Sequence, residues 1–267
     1  ISRGDWSSDV CSSDLTLVER LDRHHSEGLA LNNWQLEDIL GDALRSSSLG
    51  AVGYGDRLEL RLNALLRDAD DGRPGGEGSV REALGALELT YSYEEPLAAV
   101  LTAGVMGEYN RGFRTLLQLR WARAALSEVW ERTRLLKGRF RAWRAGGGGA
   151  DARALEVSTD EAWVVGGPGW ADTPEPERQE LLRRLHRLEL FRHEMNHFVA
   201  ALEGFVLGQL EGDAREGLRR GVAAARDLQG VARAHGDYVR VALRCCFLGA
   251  DFRAASDFVA AILQRAV

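Results

Sequence analysis

Apolar residues recur every three or four positions along most of the chain, which is the pattern of amphipathic helices. The pattern is strongest between Leu181 and Leu210, where it continues for about seven turns at the spacing of one helix face. That face consists of Leu181, Leu185, Leu188, Phe191, Met195, Phe198, Leu202 and Phe205. We therefore predict a long helix that starts after Pro176 and spans Leu181 to Leu210, with its apolar face packed against a core.

The same period predicts further helices on both sides of this one. A first helix starts near Asn33, and a second, long helix follows Thr102 and reaches about Trp143. Shorter helices are predicted at about 213–226, 229–247 and 252–266, with Gly212, Gly230 and Gly249 near their junctions.

Two segments instead alternate apolar and polar residues, which is the period of a β-strand. They lie near residues 58–62 and 87–93 and place leucines and tyrosines on one side of the alternation. A loop rich in Asp and Gly, residues 68–78, lies between them. The predicted fold class is all-α, mainly a helical bundle, with a small two-stranded β-ribbon.

Glycine and proline are concentrated at about residues 145–176. Because long amphipathic helices flank this segment, we interpret it as a flexible insertion between two antiparallel helices of one bundle. Residues 1–15 resemble translated sequencing adapter, and we interpret them as an artefact outside the fold. The remaining residues, 16–267, are predicted to form one truncated domain.

Charge and hydropathy narrow the class of partner. The chain has 34 basic and 40 acidic side chains, a net charge of −6, and no long cluster of Lys or Arg. Nucleic acid is therefore not an expected partner. The longest apolar stretches are far shorter than the roughly 20 residues of a transmembrane helix, so no membrane insertion is expected. Three cysteines, two of them adjacent, predict no disulfide framework.

The sharpest chemical motif runs from His193 to His197 and matches the zinc-binding pattern H-E-x-x-H. In that pattern, two histidines one helical turn apart bind zinc and the glutamate activates a water molecule. The zinc interpretation makes His193 and His197 ligands and Glu194 the base of a metallohydrolase. Catalytic zinc needs a third protein ligand, yet the extended pattern has histidine where this chain has Glu203.

Under the competing interpretation, the same histidines are polar residues on the second face of a helix whose first face is core. His186 extends that side of the helix. His186, His193 and His197 are then candidate partner-facing residues, and a polar pair packed between helices is the other possibility for His193 and His197. Glu211 and Glu216, which could be nominated as the third zinc ligand, belong to no wider signature.

Four ordered blocks of sequence resemble the gamma-tubulin complex components, the spindle-pole-body-component family. They are Leu89–Thr102, Tyr109–Phe113 with Leu116, Leu117, Val129 and Trp130, then Leu190–Val199 with Leu202, and finally Asp227-Leu228 followed by His235, Tyr238 and Cys246. Glu95 stands where the family usually has tryptophan, and the 145–176 segment aligns poorly. The segment from Phe113 to Trp130 looks closer to the fifth or sixth component types.

The resemblance implies a carboxy-terminal helical domain that binds gamma-tubulin and other gamma-tubulin complex components. Such a subunit is a non-catalytic scaffold, uses no cofactor and supports microtubule nucleation. The implied location is the cytoplasm and cytoskeleton, at microtubule-organising centres and spindle poles. We therefore predict a scaffold protein and not an enzyme, with a zinc-dependent metallohydrolase as the alternative.

Overall fold

The computed structural model of the chain describes residues 17, 18, 20, 21, 33–45, 57–62, 84–144 and 175–265. Its main helices are α1 Asn33–Arg45, α2 Ala103–Arg144, α3 Glu175–Gln209, α4 Arg215–Ala224, α5 Leu228–Cys245 and α6 Arg253–Arg265. Two strands, β1 Leu58–Leu62 and β2 Leu87–Tyr91, lie between α1 and α2 in the chain. The predicted fold class, mainly helical with a small β-ribbon, is confirmed.

The two strands form an antiparallel ribbon in which Leu60 lies opposite Leu89. Because side chains alternate across a strand, Leu60 is buried in the core while its neighbour Arg61 is exposed. Strand β2 ends at Tyr91 and does not reach residue 93, and the chain turns shortly afterwards, between Glu94 and Leu97. The N–H of Leu97 donates to the carbonyl oxygen of Glu94 at 2.9 Å, which closes that turn.

A hydrophobic core joins the ribbon to α1 and to the first half of α2. Its members include Leu36, Ile39, Leu60, Leu87, Leu117 and Trp121. Full burial of each leucine or isoleucine side chain stabilises the fold by roughly 1.5 to 3 kcal/mol relative to exposure. The alternation of β1 and the helical period of α1 and α2 therefore converge on the same apolar cluster.

Both long helices are confirmed, with one change at the start of α3. This helix begins at Glu175, earlier than predicted, and ends at Gln209. Pro176 therefore lies in the first turn. Backbone N–H groups there have no partner within the helix, so proline, which lacks an N–H, costs no intrahelical hydrogen bond. The rest of the predicted 145–176 insertion and residues 1–15 lie outside the described residues, so both interpretations remain predictions.

The chain bends after α3 at Gly212. This glycine has φ −84° and ψ −107°, which are not helical angles, within a π-helical turn from Leu210 to Ala214. The helices predicted after it are observed as α4, α5 and α6, with bounds that differ from the predicted ones by at most two residues at each end. Asp227 caps α5, because its side-chain oxygen accepts a hydrogen bond from the N–H of Gly230 at 2.7 Å.

The described residues form two compact units. One contains those up to Ala124 together with those from Ala200 to Arg265, and the other contains those from Ala125 to Val199. The first unit holds the ribbon, α1 and α4 to α6. The second consists of α2 from Ala125 onward and α3 up to Val199. An ion pair between Lys137 and Glu189 connects these two segments. Among the described residues, none of the helices combines the length and the hydropathy of a membrane-spanning segment.

Helix α5 ends in a left-handed turn at Phe247, whose φ is 58°. The N–H of Leu248 donates to the carbonyl oxygen of Leu243 at 2.8 Å, and that of Phe247 donates to Arg244 at 3.0 Å. These two bonds define the Schellman motif, which glycine usually completes. The Phe247 ring lies 6.0 Å from that of Phe205, centroid to centroid, which is within the range of a favourable aromatic contact.

We expect Phe247→Gly to be more stable than Phe247→Ala by about 1 kcal/mol, although glycine is smaller. Both variants lose the aromatic contacts, but only alanine retains the cost of a Cβ atom in the left-handed region. Urea denaturation would measure the difference. Phe198, half-buried within α3, is the matched control, and there we expect glycine to be less stable than alanine. The same order at both positions would contradict the argument.

Candidate partner-binding face

The histidines singled out by the sequence lie on the outer surface of α3. His186, His193 and His197 are all exposed, as is Glu194. Because residues four and seven positions apart share a helix face, the three imidazoles line one side of the helix. His193 and His197 are therefore surface residues and not a polar pair packed in the core.

The described residues offer no third ligand for a zinc ion on this surface. No group of three or more His, Cys, Asp or Glu side chains among them is arranged to hold a metal ion. Glu203 is buried in ion pairs elsewhere, and Glu216 hydrogen-bonds Arg219 at 2.9 Å. The geometry gives the zinc interpretation no support among the residues that the structure describes.

We expect His193→Ala/His197→Ala to change the free energy of unfolding by less than about 0.5 kcal/mol, since both side chains are exposed. Addition of zinc should leave the melting temperature of the parent chain unchanged, and so should a chelator. Thermal melts with a parallel measurement of bound zinc would check this. One equivalent of zinc, present in the parent chain and lost in the double variant, would restore the metallohydrolase interpretation.

The prediction that the apolar face of α3 packs against a core is wrong for part of that face. Three residues of that face, Leu188, Phe191 and Phe205, are 44%, 46% and 50% exposed. The buried residues of α3 are instead Val199, Glu203 and Val206. Apolar periodicity identifies a stripe on a helix, but the neighbouring elements determine which side is covered. Here a charged residue occupies the covered side.

A strip on the exposed side of α3 combines arginines with large apolar side chains. At about 100° per residue, its six members fall within roughly 120° of the helix circumference. We call this set the α3 strip: Arg183, Arg184, Arg187, Leu190, Phe191 and Glu194. Leu190 is 52% exposed, more than any other large apolar residue of α3. The three histidines lie beside this strip, so the candidate partner-facing surface is basic and apolar together.

A buried ion-pair cluster connects α2 to the end of α3. Nη1 of Arg120 lies 2.5 Å from Oε1 of Glu203, and Arg123 pairs with the other carboxylate oxygen. Arg120 and Glu203 are only 4% and 3% exposed. Since charges this deep in a protein are tolerated only when paired, this cluster fixes α2 against α3 at one position.

Asn110 of α2 completes the free edge of strand β2. Its side-chain oxygen accepts a hydrogen bond from the N–H of Leu89 at 2.7 Å, and its amide nitrogen donates to the carbonyl oxygen of Leu89 at 3.0 Å. The amide nitrogen also donates to the carbonyl oxygen of Met106 at 3.1 Å. One buried side chain therefore satisfies an edge strand in the way that a third strand would.

His235 of α5 contacts Tyr109 of α2 directly, beside an apolar cavity. The Tyr109 hydroxyl and Nε2 of His235 lie 2.9 Å apart and form a hydrogen bond. Tyr109 and Tyr238 line a cavity of about 490 Å³ whose other walls are mainly apolar. Burial raises the pKa of Tyr109 to about 12 and lowers the pKa of His235, because the charged form of each group is poorly solvated there.

The stability of the chain is expected to decrease below about pH 6.5, the ordinary pKa of histidine. Because the pKa of His235 is lowered in the folded state, the unfolded chain takes up a proton that the folded chain does not accept. This loss starts as the pH falls past the unfolded pKa and is complete below the folded one. Chemical denaturation at several pH values between 5 and 8 would measure this loss. We expect the free energy of unfolding to depend less on pH in His235→Gln than in the parent chain. The same pH dependence in both would contradict the role given to His235.

Sequence reasoning missed the roles of Asn110 and Glu203. Each is a polar residue within a long helical pattern, and its neighbours three and four positions away include apolar side chains. Such a position on a covered helix face indicates a buried, hydrogen-bonded or paired side chain. Tyr109, Asn110 and His235 did stand within the blocks that carried the family resemblance, but no structural role could be attached to them.

The fold defines a helical-bundle domain that carries a two-stranded ribbon and presents a mixed basic and apolar helix face. A protein-family model described as gamma tubulin complex component C-terminal matches residues 2–266, and the chain belongs to this family. The resemblance predicted from four sequence blocks is thereby confirmed.

Curated relatives include members of the two component types favoured by the sequence. The chain is 28% identical to gamma-tubulin complex component 6 of Homo sapiens over 234 residues, which covers 86% of this chain and 10% of that protein. It is 24% identical to gamma-tubulin complex component 5 of Mus musculus over 187 residues, 69% of this chain and 16% of that protein. Gamma-tubulin complex component 3 of Arabidopsis thaliana is 22% identical over 220 residues, 82% of this chain and 22% of that protein. The chain spans about a tenth of the component 6 sequence.

Proposed function

We propose that the chain is part of a non-catalytic scaffold subunit that binds gamma-tubulin within a gamma-tubulin complex and supports microtubule nucleation. The observation that carries the proposal is the family match over residues 2–266. Its partners would be gamma-tubulin and other gamma-tubulin complex components. It would act in the cytoplasm and cytoskeleton, at microtubule-organising centres and spindle poles.

The exposed side of α3 supports the scaffold proposal and gives it a candidate contact. Leu190 and Phe191 are exposed and lie beside His186, His193 and His197 on α3. Glu203, nearer the end of the same helix, is paired with α2. A surface of this kind, with apolar anchors surrounded by polar groups, is typical of protein–protein interfaces. We therefore propose that the three histidines face a protein partner and bind no metal.

A pull-down with the immobilised chain and purified gamma-tubulin, in the presence of chelator, tests the proposal. We expect capture by the parent chain and reduced capture by the triple variant His186→Glu/His193→Glu/His197→Glu. Gln229→Glu/Arg233→Glu/Arg240→Glu, at three exposed positions of α5, is the control and should retain binding. Failure of the folded parent chain to capture gamma-tubulin would overturn the proposed function. Equal capture by parent and triple variant would instead remove the histidines from the interface.

A further inference from the structure

We propose that the α3 strip binds an acidic amphipathic segment of a partner protein, with Leu190 and Phe191 as the apolar anchors. The inference rests on the proposed function only in taking this side of α3 as partner-facing. It adds the chemistry of the segment that would be recognised, which neither the family match nor the relatives specify.

The charge of the strip is opposite in sign to that of the whole chain. The chain carries more acidic than basic side chains, with a net charge of −6. The strip instead presents three arginines against one acidic residue, Glu194. Arg183 and Arg184 share a single carboxylate, that of Glu180. Arg187 has no ion-pair partner among the described residues, so the strip retains excess positive charge.

The apolar residues of the strip are placed where a helical ligand could contact them. Leu190 and Phe191 are about half exposed, and they lie among the arginines on the same side of α3. From Arg183 to Glu194 the strip extends for about three helical turns, roughly 16 Å. A short helix with apolar residues on one face and carboxylates beside them would bury both anchors and pair with the guanidinium groups.

Binding can be measured by the fluorescence anisotropy of a labelled helical peptide of Glu, Leu and Ala, about five turns long, added to the intact chain. A second peptide with Lys in place of every Glu tests the sign of the charge. We expect the acidic peptide to bind at least about tenfold more tightly than the basic one, and less tightly as salt is added. Equal binding of the two peptides, or no binding of the acidic peptide, would overturn the proposal.

The chain contains a matched control for the charges of the strip. Glu216 on α4 pairs with Arg219 and Arg220 in the same spacing as Glu180 with Arg183 and Arg184. We expect Arg183→Glu/Arg184→Glu to weaken binding by about tenfold or more. Arg219→Glu/Arg220→Glu should leave the affinity within about twofold. Equal losses in both variants would show general attraction to positive charge and would overturn the assignment.

A second variant keeps the charges and removes the anchors. Leu190→Ser/Phe191→Ser should weaken binding of the acidic peptide by about tenfold, and an unchanged affinity would overturn the role of the apolar residues. Binding of the peptide is measured without gamma-tubulin, so its result is independent of the pull-down. Peptide binding without capture of gamma-tubulin would remove the proposed function alone. Capture of gamma-tubulin by a chain that does not bind the acidic peptide would overturn the present inference alone.

Discussion

Replacement of Glu203 by alanine is expected to lower the free energy of unfolding by about 3 to 5 kcal/mol. The substitution leaves the guanidinium group of Arg120 deeply buried without its carboxylate partner, and it removes the contact with Arg123. The cost comes mainly from the uncompensated buried charge and not from lost attraction. Urea denaturation followed by circular dichroism would measure the change.

Glu216 provides the matched control, because it also pairs with two arginines but lies on an exposed surface. We expect Glu216→Ala to leave the denaturation midpoint unchanged, since solvent screens an exposed pair. We also expect Glu203→Leu/Arg120→Leu to be more stable than Glu203→Leu alone, because the second substitution removes the orphaned charge. A loss for Glu203→Ala no larger than that for Glu216→Ala would contradict the buried ion-pair account.

Replacement of Asn110 by alanine is expected to lower the free energy of unfolding by about 2 to 4 kcal/mol. The substitution leaves the N–H and the carbonyl oxygen of Leu89 without their side-chain partner. Hydrogen exchange should show the effect locally, with faster exchange of the Leu89 amide in the variant. Chemical denaturation gives the global loss.

Asn196 of α3 is a control of the same residue type. It is half-buried, but no hydrogen bond of its side chain is observed among the described residues. We expect Asn196→Ala to change stability by less than about 0.5 kcal/mol. If the Leu89 amide remained as protected in Asn110→Ala as in the parent chain, the edge-completing role of Asn110 would be wrong.

Much of the fold could be predicted from local periodicity. The alternation at Leu58–Leu62 predicted β1, because opposite faces of a strand meet different surroundings. The helical period predicted α2 and α3 nearly over their full lengths, since such long repeats leave few alternative structures. The chain breaks at Gly212 and near Gly249 could be predicted because glycine weakens a helix and is common where helices end. Gly212 does adopt non-helical angles, whereas Gly249 precedes α6 with ordinary extended angles.

The candidate site was predicted only in part. The sequence placed His193 and His197 on one side of a helix, which the structure confirms, but not whether that side meets solvent or protein. It also assigned Leu188 and Phe191 to the core, whereas both are exposed. The reason is that a helical repeat is a property of one segment, while burial depends on which residues of other segments pack against it.

The sequence by itself determined the helices and the ribbon and, through four blocks, the family. It also showed that the chain lacks the clusters of Lys and Arg that are typical of nucleic-acid-binding proteins. The tertiary structure alone decided that Glu203 is buried between Arg120 and Arg123 and that Asn110 completes β2. It also decided that the α3 strip faces outward. These facts depend on partners 80 and 21 residues away in the chain, and no local period encodes a pairing between residues that far apart.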